Sequence, residues 1–156
     1  MKVELILVGK TTDKLFATGI ADYADRITHY LSFSINTIPA LKNTKNLSEE
    51  EQKKAEGELI LRQLQPSDTV VLLDEHGAER TSMETAAWLQ KKMQTARRLV
   101  FVIGGSYGFS DAVYQRANEK ISLSRMTFSH QMVRLIFTEQ LYRACTIIKG
   151  ESYHHE

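Results

Sequence analysis

The hydrophobic pattern of the chain alternates between short apolar runs and longer segments with helical spacing. Val3–Val8 is an apolar run closed by Gly9, and after Asp13 the apolar residues recur three and four positions apart. Thr69–Asp74 and Leu99–Ile103 are nearly continuous apolar runs, typical of strands buried on both faces of a parallel sheet. Strands that alternate with helices predict an α/β domain with a mainly parallel sheet.

Helix starts are marked by short polar signals. Ser48 with Glu51, and Thr81 with Glu84, have the spacing of a capping box, and Ser110 is a predicted N-cap. Each signal precedes a segment with apolar residues at helical spacing, so a helix is predicted after each one. Two further strands complete the predicted sheet, Phe33–Ile38 and Ile121–Leu123.

The last predicted helix, His130–Ile148, is apolar around most of its circumference, and Gly150 is its predicted stop. A single apolar stripe is about 100 degrees wide, so one face cannot bury all of these residues. We expect this helix to cover its own sheet and also to meet a second copy in a two-fold homodimer. The alternative is a helix sandwiched entirely within its own domain.

Composition narrows the class of protein. A chain of 156 residues is expected to form one domain over 1–156. The lone Cys145 among apolar neighbours predicts a buried structural thiol and suits a reducing compartment. No apolar run approaches the roughly 20 residues of a membrane helix, and no signal-peptide layout is present, so we expect a cytoplasmic protein without a membrane partner. The pair His154 and His155 lacks further ligands at diagnostic spacing, so no metal site is predicted.

The net charge of +1 neither requires nor excludes a nucleic-acid partner. Basic residues near the C-terminal half are read as solvated charges by default, although across a dimer they would form a modest RNA footprint. These residues are Lys91, Lys92, Arg97, Arg98, Arg125, Arg134 and Arg143.

Two loops suggest a ligand site. Gly104–Gly108 follows a buried strand, where ligands of open α/β sheets bind and where glycine permits a close backbone approach. Its spacing is neither G-x-G-x-x-G nor a P-loop, which argues against a phosphate cradle. Leu123–Phe128 follows another strand without Gly or Pro and could present backbone groups to a flat heterocycle, with Leu73 as an apolar wall. The alternative for the glycine loop is a tight connection without a ligand, and the alternative for Leu123–Phe128 is a loop packed under the last helix. Asp74, after Leu73, is interpreted as an N-cap or turn residue.

Several motifs together resemble one family. Ile103-Gly104-Gly105, Leu123-Ser124-x-Met126-Thr127, His130, Glu139-x-Leu141-Tyr142-Arg143-Ala144 and the final Tyr153-His154 are similar to the RlmH (YbeA-type) branch of the SPOUT methyltransferases, over essentially the whole chain. The resemblance implies an α/β fold with a C-terminal deep trefoil knot, an obligate homodimer, and S-adenosyl-L-methionine as methyl donor. It also implies methylation of N3 of pseudouridine 1915 of 23S ribosomal RNA in assembled ribosomes. The donor-binding residues it implies are Leu73, Gly104, Leu123, Ser124, Arg125, Met126, Thr127 and Phe128.

The chain departs from common family patterns at Ser106 and Ser129, where proline is frequent, and at His155, where arginine is frequent. His155 would weaken a contact between the tail and RNA, since histidine is only partly charged at neutral pH. Because N3 must lose a proton, we hypothesise that His154 of one subunit assists at the partner's donor site while Tyr153 places the base. The rivals are a non-catalytic ribosome- or RNA-binding module and a methyltransferase that acts on another RNA base.

Overall fold

The computed structural model describes residues 1–155. Its strands are β1 (Lys2–Val8), β2 (Ser32–Ile38), β3 (Thr69–Glu79), β4 (Arg98–Ile103) and β5 (Glu119–Ser122). Its α-helices are α1 (Lys14–Ile27), α2 (Glu49–Arg62), α3 (Ser82–Thr95), α4 (Asp111–Arg116) and α5 (Met132–Lys149), and one 3-10 turn spans Thr44–Asn46. The alternation predicted from the apolar pattern is therefore confirmed.

The five strands form one sheet in the order β2-β1-β4-β3-β5, and every neighbouring pair is parallel. Because β4 lies at the centre of the sheet, it is covered on both faces and both edges, and Leu99–Ile103 is fully buried. The continuous apolar run in this strand is the direct consequence of that position. The predicted parallel α/β sheet is confirmed.

Successive side chains of β1 enter different cores, as the two-residue period of a strand requires. Leu5 and Leu7 belong to the core that includes α5, whereas Ile6 and Val8 pack on the opposite face with residues of α2 and α4. Because helices cover both faces of the sheet, a ligand can reach it at the ends of the strands. The carboxyl ends of the strands are where the loops singled out above emerge.

The helix signals read from the sequence form the predicted bonds. In α2, Ser48 Oγ accepts from the Glu51 amide at 3.1 Å, and Glu51 Oε1 accepts from the Ser48 amide at 3.3 Å. Thr81 and Glu84 form the same reciprocal pair at the start of α3. Gly150 follows α5 with φ of 73°, a left-handed conformation that glycine adopts without strain.

β3 is longer than the apolar run that predicted it. The pairing of β3 with β5 shifts register between Leu73 and Ala78, so that Ile121 pairs with both residues. The intervening segment bulges out of the ladder, and its Gly77 lies against the backbone of Ile121, where a Cβ would come within 2.4 Å. Because the bulge is polar, the apolar pattern ends at Asp74 and did not predict the second half of the strand.

The outer face of α5 stays partly uncovered in the single chain. Phe137 and Leu141 are buried, but Met132 is 41% exposed, and several apolar side chains are only half-buried. The half-buried set is Val133, Leu135, Ile136, Tyr142, Ile147 and Ile148. A helix sandwiched entirely within its own domain would not leave these side chains in contact with water.

Within residues 1–155, none of the helices combines the length and apolarity needed to cross a membrane. The same described residues contain no cluster of three or more His, Cys, Asp or Glu side chains arranged to hold a metal ion.

Candidate functional site

A cleft of about 630 Å³ opens at the carboxyl ends of β4 and β5 and beside the middle of β3, where its apolar run ends. Its volume falls in the range of small-molecule sites, roughly 300 to 1,000 Å³. The glycine loop after β4 forms one wall, and the loop between β5 and α5 forms another. Residues assigned to donor binding by resemblance meet in this cleft, namely Leu73, Gly104, Leu123, Ser124, Met126, Thr127 and Phe128.

The glycine loop turns back on itself at the mouth of the cleft. The amide of Gly108 donates to the carbonyl of Gly105 at 3.2 Å, and Gly108 has φ of 81°. Only the left-handed conformation of Gly108 closes so short a turn, which is why a residue without Cβ stands there. The backbone of Gly104 and Gly105 therefore faces the cleft without intervening side chains.

The loop after β5 is shaped by serine hydroxyls in place of glycine or proline. Ser122 Oγ donates to the carbonyl of Ser124 at 2.9 Å, and Ser124 Oγ accepts from the amide of Met126 at 3.0 Å. Ser129 Oγ then accepts from the amide of Met132, which begins α5. Met126 is 79% exposed, so this loop is not simply packed beneath the last helix.

The side chain of Arg125 lies outside the cleft, in contrast to its neighbours in sequence. It is 90% exposed, and its Nε lies 3.4 Å from Oε1 of Glu79. Its neighbours Ser124 and Met126 both line the cleft, whereas Arg125 does not. The guanidinium is thus placed to meet solvent or a partner.

The charged groups that line the cleft are mostly acidic. Asp74 and Glu75 contribute carboxylates, His76 and His130 contribute imidazoles, and none of the described lining residues is Lys or Arg. A cationic ligand suits such a lining better than a phosphate does.

Asp74 and Tyr114 are cleft residues that the sequence analysis did not assign to the site. Tyr114 donates a 2.9 Å hydrogen bond to Oδ1 of Asp74, and burial together with this bond raises the pKa of Tyr114 to about 12. Asp74 was interpreted as a cap or turn; its place at the polar end of the apolar run of β3 was a usable signal. Tyr114 lies on α4, and no sequence pattern linked it to the cleft.

The predicted catalytic residues Tyr153 and His154 lie outside the cleft of their own chain. Tyr153 packs edge-on against Tyr142, with ring centroids 4.8 Å apart, and its hydroxyl donates to Oε1 of Glu139 at 3.2 Å. Burial, the contact with Tyr23 and the charge of Glu139 raise the pKa of Tyr153 well above its usual value. The tail is held against α1 and α5 by these contacts.

Arg143 connects the tail to α5. Its Nε and one terminal nitrogen contact Oε1 of Glu139 at 3.0 and 2.6 Å, and its other terminal nitrogen lies 3.1 Å from Nδ1 of His154. A guanidinium only donates hydrogen bonds, so Nδ1 of His154 accepts, and the proton of the neutral imidazole is on Nε2. The guanidinium also covers the ring of Tyr153 at 4.8 Å.

The expectation that the basic residues are solvated charges is wrong for several of them. Arg134 is fully buried on α5, and Arg98 forms a two-pronged pair with the buried Asp68 at 3.0 Å for each contact. Lys92 pairs with Glu119. The local sequence pattern shows only that a basic side chain is present. Whether it finds a carboxylate or carbonyl partner depends on elements that are distant in sequence. The exposed members of the set are Lys91, Arg97 and Arg125.

Cys145 lies on the buried face of α5, and burial raises the pKa of its thiol to about 12. A thiol with so high a pKa carries almost no thiolate at neutral pH and is inert as a nucleophile. The predicted structural role of Cys145 is confirmed.

Comparisons with known proteins agree with the geometry. A family model described as "Predicted SPOUT methyltransferase" matches residues 1–154. The chain is 60% identical to Ribosomal RNA large subunit methyltransferase H of Parabacteroides distasonis, covering 100% of both chains. It is 58% identical to the protein of that name from Porphyromonas gingivalis, covering 100% of both, and 58% identical to the one from Christiangramia forsetii, covering 99% of both.

A match of this extent rests on the same strands and loops that build the cleft, since it spans every element from β1 to the tail. The chain belongs to the SPOUT methyltransferase family, in the branch of the ribosomal RNA large subunit methyltransferases H.

Proposed function

We propose that this protein uses S-adenosyl-L-methionine to methylate N3 of pseudouridine 1915 of 23S ribosomal RNA in assembled ribosomes. The names of its relatives support methylation of large-subunit ribosomal RNA, and the family resemblance implies the donor and the base. The observation that carries the proposal is the cleft itself, because one acidic, partly apolar space unites the glycine loop and the Leu123–Phe128 loop. We further propose that 1–156 acts as one domain with a trefoil knot at its C-terminal end, in the cytoplasm.

The residues of the cleft fit the donor. Leu73, Leu123, Met126 and Phe128 provide apolar surfaces for an adenine ring, and the backbone of the two loops provides hydrogen-bond donors and acceptors at its edge. Bound there, the donor would supply a methyl group already activated by a positively charged sulfur. The protein's contribution is then alignment of the methyl group with the attacking nitrogen. Carboxylates of Asp74 and Glu75 favour a cation in this space.

The tail would act on the proton and charge of the accepting base. Because Nδ1 of His154 accepts from Arg143, Nε2 carries the proton of the neutral imidazole, and Nε2 is buried in this arrangement, so the imidazole must shift before this N–H can meet the base. This tautomer favours His154 as a hydrogen-bond donor that stabilises the N3 anion over His154 as the proton acceptor. Tyr153, held by Glu139 and Tyr142, would place the base beside it.

The site requires a second copy of the chain. Tyr153 and His154 do not line the cleft of their own chain, while the outer face of α5 remains partly exposed. Leu15 on the first turn of α1 is 76% exposed, and α1 runs beside α5, where Gly19 contacts Leu135. We propose that the α1–α5 face forms a two-fold homodimer that brings each tail to its partner's cleft.

Binding to ribosomal RNA would rely on few charges. The exposed residues Lys91, Arg97 and Arg125 are separate cations, and several other basic side chains are committed to internal partners. Weak electrostatic attraction to naked RNA fits an enzyme that needs the ribosomal surface to present its substrate.

Two measurements test the proposal. Isothermal titration with S-adenosyl-L-methionine is expected to show one binding event per chain, and no binding at millimolar donor would favour the RNA-binding module. Mass spectrometry of 23S ribosomal RNA from a deletion strain is expected to show loss of one methyl group on a pseudouridine. Loss of a methyl group from a different base would establish the other rival, and an unchanged methylation pattern would refute both enzymatic assignments.

A further inference from the structure

Glu56 is a buried carboxylic acid on α2. Glu56 is only 7% exposed, and the hydrogen bond that its carboxylate accepts is a long one, 3.4 Å from Nε2 of Gln52 to Oε2. No Lys, Arg or His within residues 1–155 forms an ion pair with Glu56, unlike the buried Asp68, which has Arg98. Burial raises the pKa of this carboxyl group. An acid in this setting costs stability whenever it is ionised.

The packing of two glycines places this acid behind the cleft. A Cβ on Gly57 would lie 2.4 Å from Oγ of Ser110, so glycine allows α2 to press against the start of α4. A Cβ on Gly105 would lie 2.8 and 3.1 Å from the two carboxylate oxygens of Glu56. Gly105 lines the cleft. The carboxylate of Glu56 is therefore separated from the cleft by the backbone of a single glycine.

We propose that Glu56 is the buried counter-charge for the cationic sulfur of the methyl donor, acting through the thin wall at Gly105. The inference rests on the proposed donor site and adds a residue outside its lining. Across a wall without a side chain, and in surroundings that exclude water, a carboxylate attracts a cation more strongly than an exposed acid does. Glu56 touches no reacting atom, so its role is to position and retain the donor.

Glu56 differs from Asp74 and Glu75 in how strongly water screens its charge. Those carboxylates face the cleft and are screened by water when the site is open. Glu56 keeps its field because the protein covers it. Such an acid would favour the charged donor over the neutral thioether that remains after methyl transfer, and would thereby assist release of the product.

The test compares donor and product on isosteric variants. Glu56→Gln removes the charge, and Glu58→Gln makes the same change at an exposed position of the same helix. By titration calorimetry, Glu56→Gln is expected to weaken S-adenosyl-L-methionine by about fivefold and S-adenosylhomocysteine by less than about twofold. Glu58→Gln is expected to change neither affinity. Equal losses for both ligands on Glu56→Gln would overturn the proposal.

Stability provides a readout that a merely structural role would move in the opposite direction. Removing an ionised, unpaired acid is expected to raise the unfolding temperature of ligand-free Glu56→Gln at pH 8, while its donor affinity falls. A lower unfolding temperature together with parallel losses of both ligands would show that Glu56 only packs. Glu56→Asp keeps the charge and is expected to retain the preference for donor over product; loss of that preference would contradict the proposal.

Gln52→Lys tests the charge of Glu56 by a second route, which does not require Glu56→Gln to fold. An ammonium group beside Oε2 would neutralise the field of Glu56 and is expected to lower the preference for donor over product; an unchanged preference would overturn the inference. Failure of the wild-type protein to bind S-adenosyl-L-methionine refutes the proposed function. Binding by the wild type with the same donor preference in all variants refutes only the role of Glu56.

Discussion

Arg134 donates a hydrogen bond of 2.7 Å to the main-chain carbonyl of Val8, which lies 126 positions earlier in the chain. The same guanidinium donates to the carbonyl of Gly9 and to the hydroxyl of Thr11, both at 2.9 Å. Arg134 is the largest of the fully buried side chains. It ties the last helix to the carboxyl end of β1, beside the loop that Gln131 also holds through Thr12.

Replacement of Arg134 by Met is expected to lower the free energy of unfolding by about 3 kcal/mol, because the carbonyls of Val8 and Gly9 would remain buried without a donor. Urea unfolding followed by circular dichroism measures this loss. Arg97→Met, at an exposed position, serves as the control and is expected to stay within about 0.5 kcal/mol of the wild type. A loss below about 1 kcal/mol for Arg134→Met would contradict the assigned role.

Glu119 is expected to stabilise the fold when its carboxyl group is ionised, and to lose this effect as the pH becomes acidic. Burial would raise its pKa, but Lys92 and the indole N–H of Trp88, at 2.9 Å, bond to its carboxylate and lower the pKa below the usual value. A carboxyl group whose pKa is lower in the folded state stabilises it above the unfolded pKa of about 4.5, and this contribution is lost as the pH falls through the folded pKa.

Glu119→Gln is therefore expected to cost about 1 to 2 kcal/mol at pH 7 and progressively less below pH 4.5. Chemical unfolding of both proteins across this pH range measures the difference. Glu75→Gln, at an exposed position, controls for general charge effects. A difference that stays constant with pH would show that the ionised form has no special role.

The proposed exchange of tails between subunits can be tested by complementation. Thr127→Trp fills the cleft from an exposed position, and His154→Ala removes the imidazole of the tail, so each homodimer alone is expected to be inactive. Mixed by co-expression, they form heterodimers in which one cleft and the opposite tail are both intact. Methyl transfer to ribosomes is expected to recover to about a quarter of the wild-type rate. No recovery would place the tail in its own chain's site, and full activity of His154→Ala alone would remove it from catalysis.

Dimer formation is expected to depend on the exposed apolar residues of α1 and α5. Met132→Glu places a charge on the partly uncovered face of α5 and is expected to produce a monomer in sedimentation velocity at micromolar concentration, whereas the wild type sediments as a dimer. Met83→Glu is the matched control, since Met83 is 45% exposed on α3 and lies outside the proposed interface. A monomeric wild type, or a dimer that survives Met132→Glu, would refute this interface.

Local structure was largely predictable, because short-range patterns encode it. The capping boxes at Ser48 and Thr81 formed as predicted, since their bonds join residues three positions apart. The two cleft loops were also predictable, because polar and glycine-rich segments at the carboxyl ends of buried strands converge in any parallel sheet. The extension of β3 beyond Asp74 was missed because its pairing depends on β5 and not on an apolar pattern of its own.

By itself, the sequence determined the parallel α/β architecture, the loops that line the cleft, and membership of a methyltransferase family by its motifs. Only the tertiary structure decided which charges are buried, that Arg134 serves the end of β1, that Glu56 stands behind Gly105, and that the tail is held by Glu139 and Arg143 away from its own cleft. The reason is physical: backbone propensity and apolar period act over a few residues. The partner of a buried polar group is chosen by the packing of distant elements.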